Sequence, residues 1–325
     1  MSVSPQPRPP FDPELAAALA VLGEQVPSSI TPEMIPVLRA EGAKRAPAPD
    51  EDLTGGAFVE EEHTARGADG TEVPLLVWRP KQATGATGTL YWIHGGGMVA
   101  GTHRGREIPG LLEYARELDL ALVSVDYRLA PEHPHPAPVE DCYTGLVWWT
   151  ANAAGFGADP DRLVVGGSSA GGGLAAATCL LARDRGGPSA LGQLLLCPML
   201  DDRNDSVSGH QMAGLGVWDR VSNTTGWGAL LGERAGGPEV SPYAAPARAR
   251  DLSGLPPAFL DVGSAETFRD EVVEYASRIW RAGGSAELHV WPGGFHSFDG
   301  FAPEAVLSRS AREQRLPWLR RVLAG

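Results

Sequence analysis

The chain has 325 residues and a mass of 34.3 kDa, with 43% hydrophobic and 21% charged residues. Those proportions suit a globular protein with one large core and room for a small accessory segment. The formal net charge of -13 argues against nucleic acid as a partner and against docking on an anionic membrane, because both draw on excess Lys and Arg.

Met1 to Pro10 has neither the basic end nor the apolar run of a secretory leader, and no apolar stretch reaches membrane-spanning length. A cytoplasmic location is the expectation. The first fifty or so residues are rich in Pro and Ala, with short helical patterns at Pro13 to Leu22 and Thr31 to Arg39. Thr31-Pro32-Glu33 is a start signal, with a cap residue followed by Pro at the first helical position. Helices this short must lie on something else. Ala46 to Asp50 reads as a linker.

From about Phe58 strands and helices alternate. Strands are expected at Val73–Trp78, Leu90–Ile93, Leu120–Asp126, Leu163–Gly167, Gln193–Cys197, Ala258–Val262 and Glu287–Trp291. Helices are expected at Ile108–Leu118, Val139–Asn152, Ala170–Arg183, Arg269–Arg281 and Pro303–Leu323. Short apolar strands alternating with helices imply an α/β fold with a mostly parallel sheet covered on both faces. Ligands bind such sheets at the carboxyl ends of the strands. Residues 201–237 break the alternation and follow a strand end, so they should overhang that face. Cys142, Cys179 and Cys197 lie far apart in apolar surroundings without metal-ligand spacing, and read as small core residues.

Gly167-Ser168-Ser169-Ala170-Gly171 sits between an apolar strand and a helix, the context of a nucleophile elbow. The register selects Ser169, since Ser168 is followed two places on by Ala170 and not Gly. A glycine-rich turn without chemistry is the competing reading. His94-Gly95-Gly96-Gly97 ends an upstream strand, and three glycines there let backbone amides face a substrate oxygen. In this arrangement acid and base follow the serine in chain order. His296, in the loop after the last strand, fits the base. Glu266 lies in the loop after Ala258–Val262 and fits the acid. Asp270 and Glu271 fall where a helix begins, where acids commonly serve the helix dipole; Asp270 stays as the alternative.

Together with Tyr127-Arg128-Leu129-Ala130-Pro131-Glu132, these motifs resemble the hormone-sensitive-lipase-like carboxylesterases of the α/β-hydrolase superfamily, over about Val73 to Phe298. The resemblance implies an α/β-hydrolase fold with a small helical cap. Residues 1–52 would supply one cap segment, 53–325 the catalytic domain, and 201–237 within it a second cap segment. It implies Ser169 as nucleophile, His296 as base, Glu266 as acid, and the amides of Gly96, Gly97 and Ala170 as oxyanion hole. Met212, Trp218 and Trp227 become candidates for pocket lining, with packing of the cap onto the core as the alternative.

The expected reaction is hydrolysis of short- to medium-chain carboxylic esters, needing no cofactor and no metal, with a small-molecule ester as partner and a homodimer as the family-implied assembly. Amide, peptide or lactone hydrolysis with the same triad is the runner-up. A non-catalytic ligand-binding member of the fold is the other alternative. Two positions depart from the family pattern: Ser168 replaces the usual Asp of the elbow, and Glu266 replaces an Asp.

Overall fold

A computed structural model describes residues 7–24, 26–48, 51–83 and 85–324. Pro49 and Asp50 of the expected linker, and all six residues before Pro7, lie outside them.

The elements in chain order are α1 (Pro13–Leu22), α2 (Ile35–Arg45), β1 (Phe58–Arg66), β2 (Glu72–Pro80), β3 (Thr87–Ile93), α3 (Ile108–Leu118) and β4 (Leu120–Val125). There follow α4 (Ala137–Asn152), β5 (Ala158–Ser168), α5 (Ala170–Arg185), β6 (Gly192–Leu196), α6 (Val207–Gln211) and α7 (Arg220–Leu231). The chain closes with β7 (Ala258–Gly263), α8 (Arg269–Arg281), β8 (Ala286–Trp291), α9 (Phe298–Phe301) and α10 (Val306–Leu323).

The eight strands form one sheet in the order β1-β2-β4-β3-β5-β6-β7-β8. β1 and β2 pair antiparallel, as do β2 and β4; every pair from β4 onward is parallel. This is the α/β-hydrolase sheet the motifs imply.

Side chains alternate across a strand, and here the alternation divides the core in two. Leu75, Val77, Tyr91, Ile93, Val123 and Val125 face one side, against Val139, Leu146 and Trp149 of α4, Leu174 of α5 and Tyr275 of α8. Leu76, Trp78, Leu90, Trp92, Leu120 and Leu122 face the other, against Ile108, Leu111 and Leu112 of α3 and Trp318 and Leu319 of α10. Strands buried on both faces read as unbroken apolar runs, which made β3 and β4 visible in sequence.

The N-terminal segment opens with Asp12, whose carboxylate caps α1 by accepting from the amides of Glu14 and Leu15. It is pinned to the segment after β6. Ser29 donates to Asp219 (2.8 Å), the Ile30 amide donates to Ser222 Oγ (2.8 Å), and Thr225 donates to the Ile30 carbonyl (2.7 Å). The second expected helix proves longer than its pattern: a 3-10 turn at Pro32–Met34 leads into α2, which runs to Arg45.

Candidate active site

The elbow forms because β5 must hand directly to α5 across Ser169, which adopts φ 57° and ψ -122°. Left-handed backbone at a non-glycine residue costs about 1 to 2 kcal/mol, so the surroundings have to hold it. They do so through backbone bonds. The Ser169 amide donates to the Leu196 carbonyl (2.8 Å), and the Ser169 carbonyl accepts from Gly173 (3.0 Å) and Met199 (2.9 Å). The flanking glycines are required by contact. A Cβ on Gly167 would lie 2.2 Å from the Gly171 carbonyl oxygen, and one on Gly171 would lie 2.0 Å from that of Ile93.

Ser169 Oγ donates to His296 Nε2 at 2.9 Å, and His296 Nδ1 donates to Glu266 Oε1 at 3.0 Å. The second carboxylate oxygen, Oε2, accepts from the Gly263 amide at 3.0 Å. All three side chains are buried. Glu266 therefore reaches the imidazole, and Asp270 does not: its carboxylate accepts from the Ser208 amide (2.7 Å) and pairs with Arg269 (2.7 Å). Glu271 is turned the other way, accepting from the amides of Leu200 (2.7 Å) and Asp201 (3.3 Å), and burial pushes its pKa well up.

Burial alone would pull the His296 pKa down, but its interactions with the neighbouring Cys197 and Glu266 side chains outweigh it, and the net shift is upward, to about 10. Cys197 was expected to be an inert core residue. It is buried, yet it stands at the end of β6 beside the histidine, with Sγ 3.5 Å from Ser297 Oγ. Its apolar sequence neighbours gave no sign of this.

The glycine loop follows β3. Gly96 (φ 117°) and Gly97 (φ 64°) both hold conformations that side chains resist. A Cβ on Gly96 would sit 2.1 Å from the Ala100 carbonyl oxygen, and one on Gly97 would sit 2.1 Å from the ring of Trp218. The Tyr-Arg-Leu-Ala-Pro-Glu run supports this loop from behind. Tyr127 stacks on His94 at 4.2 Å between centroids and donates to its carbonyl (3.0 Å), while Ala130 donates to the Met98 carbonyl (2.9 Å).

Ser168, where the family usually carries Asp, donates to Glu107 Oε1 at 3.1 Å. The same oxygen receives the Gly95 amide at 3.5 Å, so a half-buried carboxylate from the start of α3 joins the elbow to the glycine loop.

Of the three pocket candidates, Trp218 packs directly on Gly97, and its carbonyl accepts from Thr267 Oγ1 (2.7 Å), next to Glu266. Trp227 is buried in the main core cluster, and Met212 caps α6 beside Gly216. The N-terminal segment also reaches the histidine loop. The Asp12 amide donates to the Gly293 carbonyl (3.1 Å), and Leu15 packs with Val217, Phe295 and Phe298.

A buried serine on a strand-to-helix elbow, bonded through an imidazole to a carboxylate at the ends of successive strands, places this molecule among hydrolases of the α/β-hydrolase fold. Comparison with known proteins narrows the class. A family profile described as alpha/beta hydrolase fold matches residues 90–300. The chain is 36% identical over 273 residues to "Carboxylesterase NlhH" of Mycobacterium tuberculosis, covering 81% of this chain and 82% of that one. The structure of a "Bacterial Heroin Esterase" superposes with TM-score 0.87 at 41% identity, over 96% of this chain and 98% of that one. A shorter stretch of 123 residues, 38% of this chain and 16% of the other, is 36% identical to "Hormone-sensitive lipase" of Ictidomys tridecemlineatus. The chain belongs to the hormone-sensitive-lipase-like carboxylesterases, and it is a carboxylic ester hydrolase. Among the described residues no helix is long and apolar enough to cross a membrane.

Proposed function

We propose that the chain hydrolyses short- to medium-chain carboxylic esters through an acyl-enzyme on Ser169. The observation that carries this reading is the continuous chain of contacts from Ser169 Oγ through His296 to Glu266, at 2.9 and 3.0 Å. Ser169 Oγ attacks the ester carbonyl carbon as its proton passes to His296 Nε2. The negative oxygen of the tetrahedral intermediate is held by the amides of Gly96, Gly97 and Ala170, the last at the start of α5 where the helix dipole adds to the amides. His296 then protonates the departing alcohol. Water repeats the sequence on the acyl-enzyme, with His296 as base, and releases the acid. Glu266 holds the Nδ1 proton and favours the imidazolium that forms in each half-reaction.

In this reading the chain divides at residue 52. Residues 1–52 and 201–237 make the cap, supported by the bonds that tie Ser29 and Ile30 to Asp219, Ser222 and Thr225. Trp218, against Gly97, walls the pocket beside the oxyanion site. The reading needs no cofactor and no metal. It places the enzyme in the cytoplasm, which suits three free cysteines. It also takes a homodimer as the assembly, with β8, one of the two outer strands, and the exposed Trp280 beside it as an available edge.

Rapid-quench kinetics with p-nitrophenyl acetate tests the mechanism. A burst of nitrophenol, with an acetyl adduct found on Ser169 by mass spectrometry, is expected. Undiminished turnover in Ser169→Ala would falsify it.

A further inference from the structure

Three donor side chains converge at the catalytic histidine, and only two of them have a place in ester hydrolysis. Cys197 Sγ, one imidazole nitrogen of His296 and one carboxylate oxygen of Glu266 all lie within 4.8 Å of one another, and all three residues are buried. We propose that this cluster is an inhibitory binding site for a soft divalent cation of the Zn2+ or Cd2+ type, so that the reacting centre can be switched off by metal. The inhibition rests on the acyl-enzyme reading above; the binding itself does not.

Geometry favours a small cation. Zn2+ binds thiolate sulfur at about 2.3 Å and nitrogen or carboxylate oxygen at about 2.0 to 2.2 Å, which sets tetrahedral donors roughly 3.3 to 3.8 Å apart. The His296–Glu266 pair already stands at 3.0 Å, and no pair in the cluster exceeds 4.8 Å. Shifts of about 1 Å or less therefore complete three sides of a tetrahedron. The donors are also fixed to the sheet. The Cys197 amide donates to the Asp261 carbonyl of β7 (2.8 Å), and Glu266 Oε2 is held by the Gly263 amide (3.0 Å).

Charge favours the same ion. A thiolate and a carboxylate cancel a 2+ cation in a site too buried to carry a net charge cheaply. On binding, the thiol proton leaves to solvent, the ring proton of His296 shifts from Nδ1 to Nε2 so that the imidazole stays neutral, three metal–donor bonds form, and nothing is oxidised or reduced. A mixed sulfur, nitrogen and oxygen set selects Zn2+ or Cd2+ and rejects Mg2+ and Ca2+, which prefer oxygen alone. The cation occupies atoms that the triad needs, so hydrolysis stops while it is bound. The other cysteines do not share this setting: burial pushes the Cys179 thiol up to about 12 and that of Cys142 well above its ordinary value.

The test uses the full chain stripped of metal with EDTA. ZnCl2 and CdCl2 should inhibit hydrolysis of p-nitrophenyl acetate, MgCl2 should not, and EDTA should restore the rate. In Cys197→Ala and Cys197→Ser, each compared with its own metal-free rate, the inhibition constant should rise by about tenfold or more. CdCl2 should raise a thiolate-to-metal absorption band in the wild type and equally in Ser169→Ala, and none in Cys197→Ala. The Ser169→Ala arm reads binding without turnover, so a failure of the metal site is distinguished from a failure of the esterase mechanism. Equal inhibition in the Cys197 variants, or absence of the band in the wild type, overturns the proposal.

Discussion

Removing the Glu107 carboxylate tests how the elbow tolerates Ser168. Its Oε1 accepts from Ser168 Oγ at 3.1 Å and, more weakly, from the Gly95 amide at 3.5 Å, so one charged oxygen joins the strand that leads to Ser169 to the loop that carries Gly96 and Gly97. A hydrogen bond to a charged group contributes about 1.5 to 3 kcal/mol, a neutral one about 0.5 to 1.5. Glu107 is half-buried, so solvent screening places it at the low end. Glu107→Gln keeps an acceptor and should cost about 1 kcal/mol; Glu107→Ala removes it and should cost about 2. The contact orients protein groups and not the substrate, so the loss should fall on kcat, about fivefold for Gln and up to about thirtyfold for Ala, with KM little changed. The assay is steady-state hydrolysis of p-nitrophenyl acetate in a double-mutant cycle with Ser168→Ala, where a coupling of about 1 kcal/mol is expected. Wild-type kcat in Glu107→Ala, or strictly additive single effects, refutes the link between elbow and loop.

Ser169→Ala and His296→Ala should each remove most turnover, and the double variant should be little worse than either, because the groups act as a unit; additive losses would contradict that. Glu266→Gln should collapse kcat while Asp270→Asn, whose carboxylate is engaged by Arg269 and Ser208, leaves most of it; the reverse order in the same assay would reassign the acid. His296 is a base only when neutral and its pKa is raised, so activity should rise with pH through a limb alkaline of the ordinary histidine range. Cys197→Ala should move that limb to lower pH, read as the midpoint of kcat/KM. The same shift means that the stability His296 contributes is full below its unfolded-state pKa and is lost as pH rises through the folded value, measurable in denaturation curves. Gly171→Ala would press a methyl to 2.0 Å from the Ile93 carbonyl oxygen and should destabilise by more than about 3 kcal/mol. Gly110→Ala, in open space on α3, should stabilise by about 0.5 to 1 kcal/mol by thermal unfolding.

The serine and histidine could be read from the chain because their chemistry demands local signals: glycines around an elbow, and a histidine in a strand-end loop downstream. That Glu266 and not Asp270 stands beside His296 was legible for a related reason, since Asp270 opens a helix and Glu266 lies in the turn before it. The Ser168–Glu107 contact was not legible, because its partners are distant in sequence and neither lies in a repeating pattern. Cys197 was hidden by its neighbours, which are apolar because β6 is buried. Trp218 lies just before α7 and Trp227 on it, and spacing alone could not say which would meet the glycine loop. β1 was visible only as a vague onset near Phe58. It is an edge strand whose exposed polar residues Glu60, Glu62 and Thr64 alternate with the half-buried Val59, Glu61 and His63, and it owes its conformation to pairing with β2 rather than to its own composition.

The bond between the Asp12 amide and the Gly293 carbonyl has a consequence for the order in which the molecule is made. Synthesis proceeds from the N-terminus, so α1 leaves the ribosome long before Gly293, Phe295 and Phe298, against which it docks. A helix of ten residues has little stability alone, so it waits for about 270 further residues without the surface that buries Leu15. The histidine loop and the first helix thus find their places together, after the sheet is built. Assembly of the reacting centre is thereby tied to synthesis of the histidine loop, and a nascent fragment that already carries α1 and the serine elbow lacks both His296 and the surface on which α1 docks.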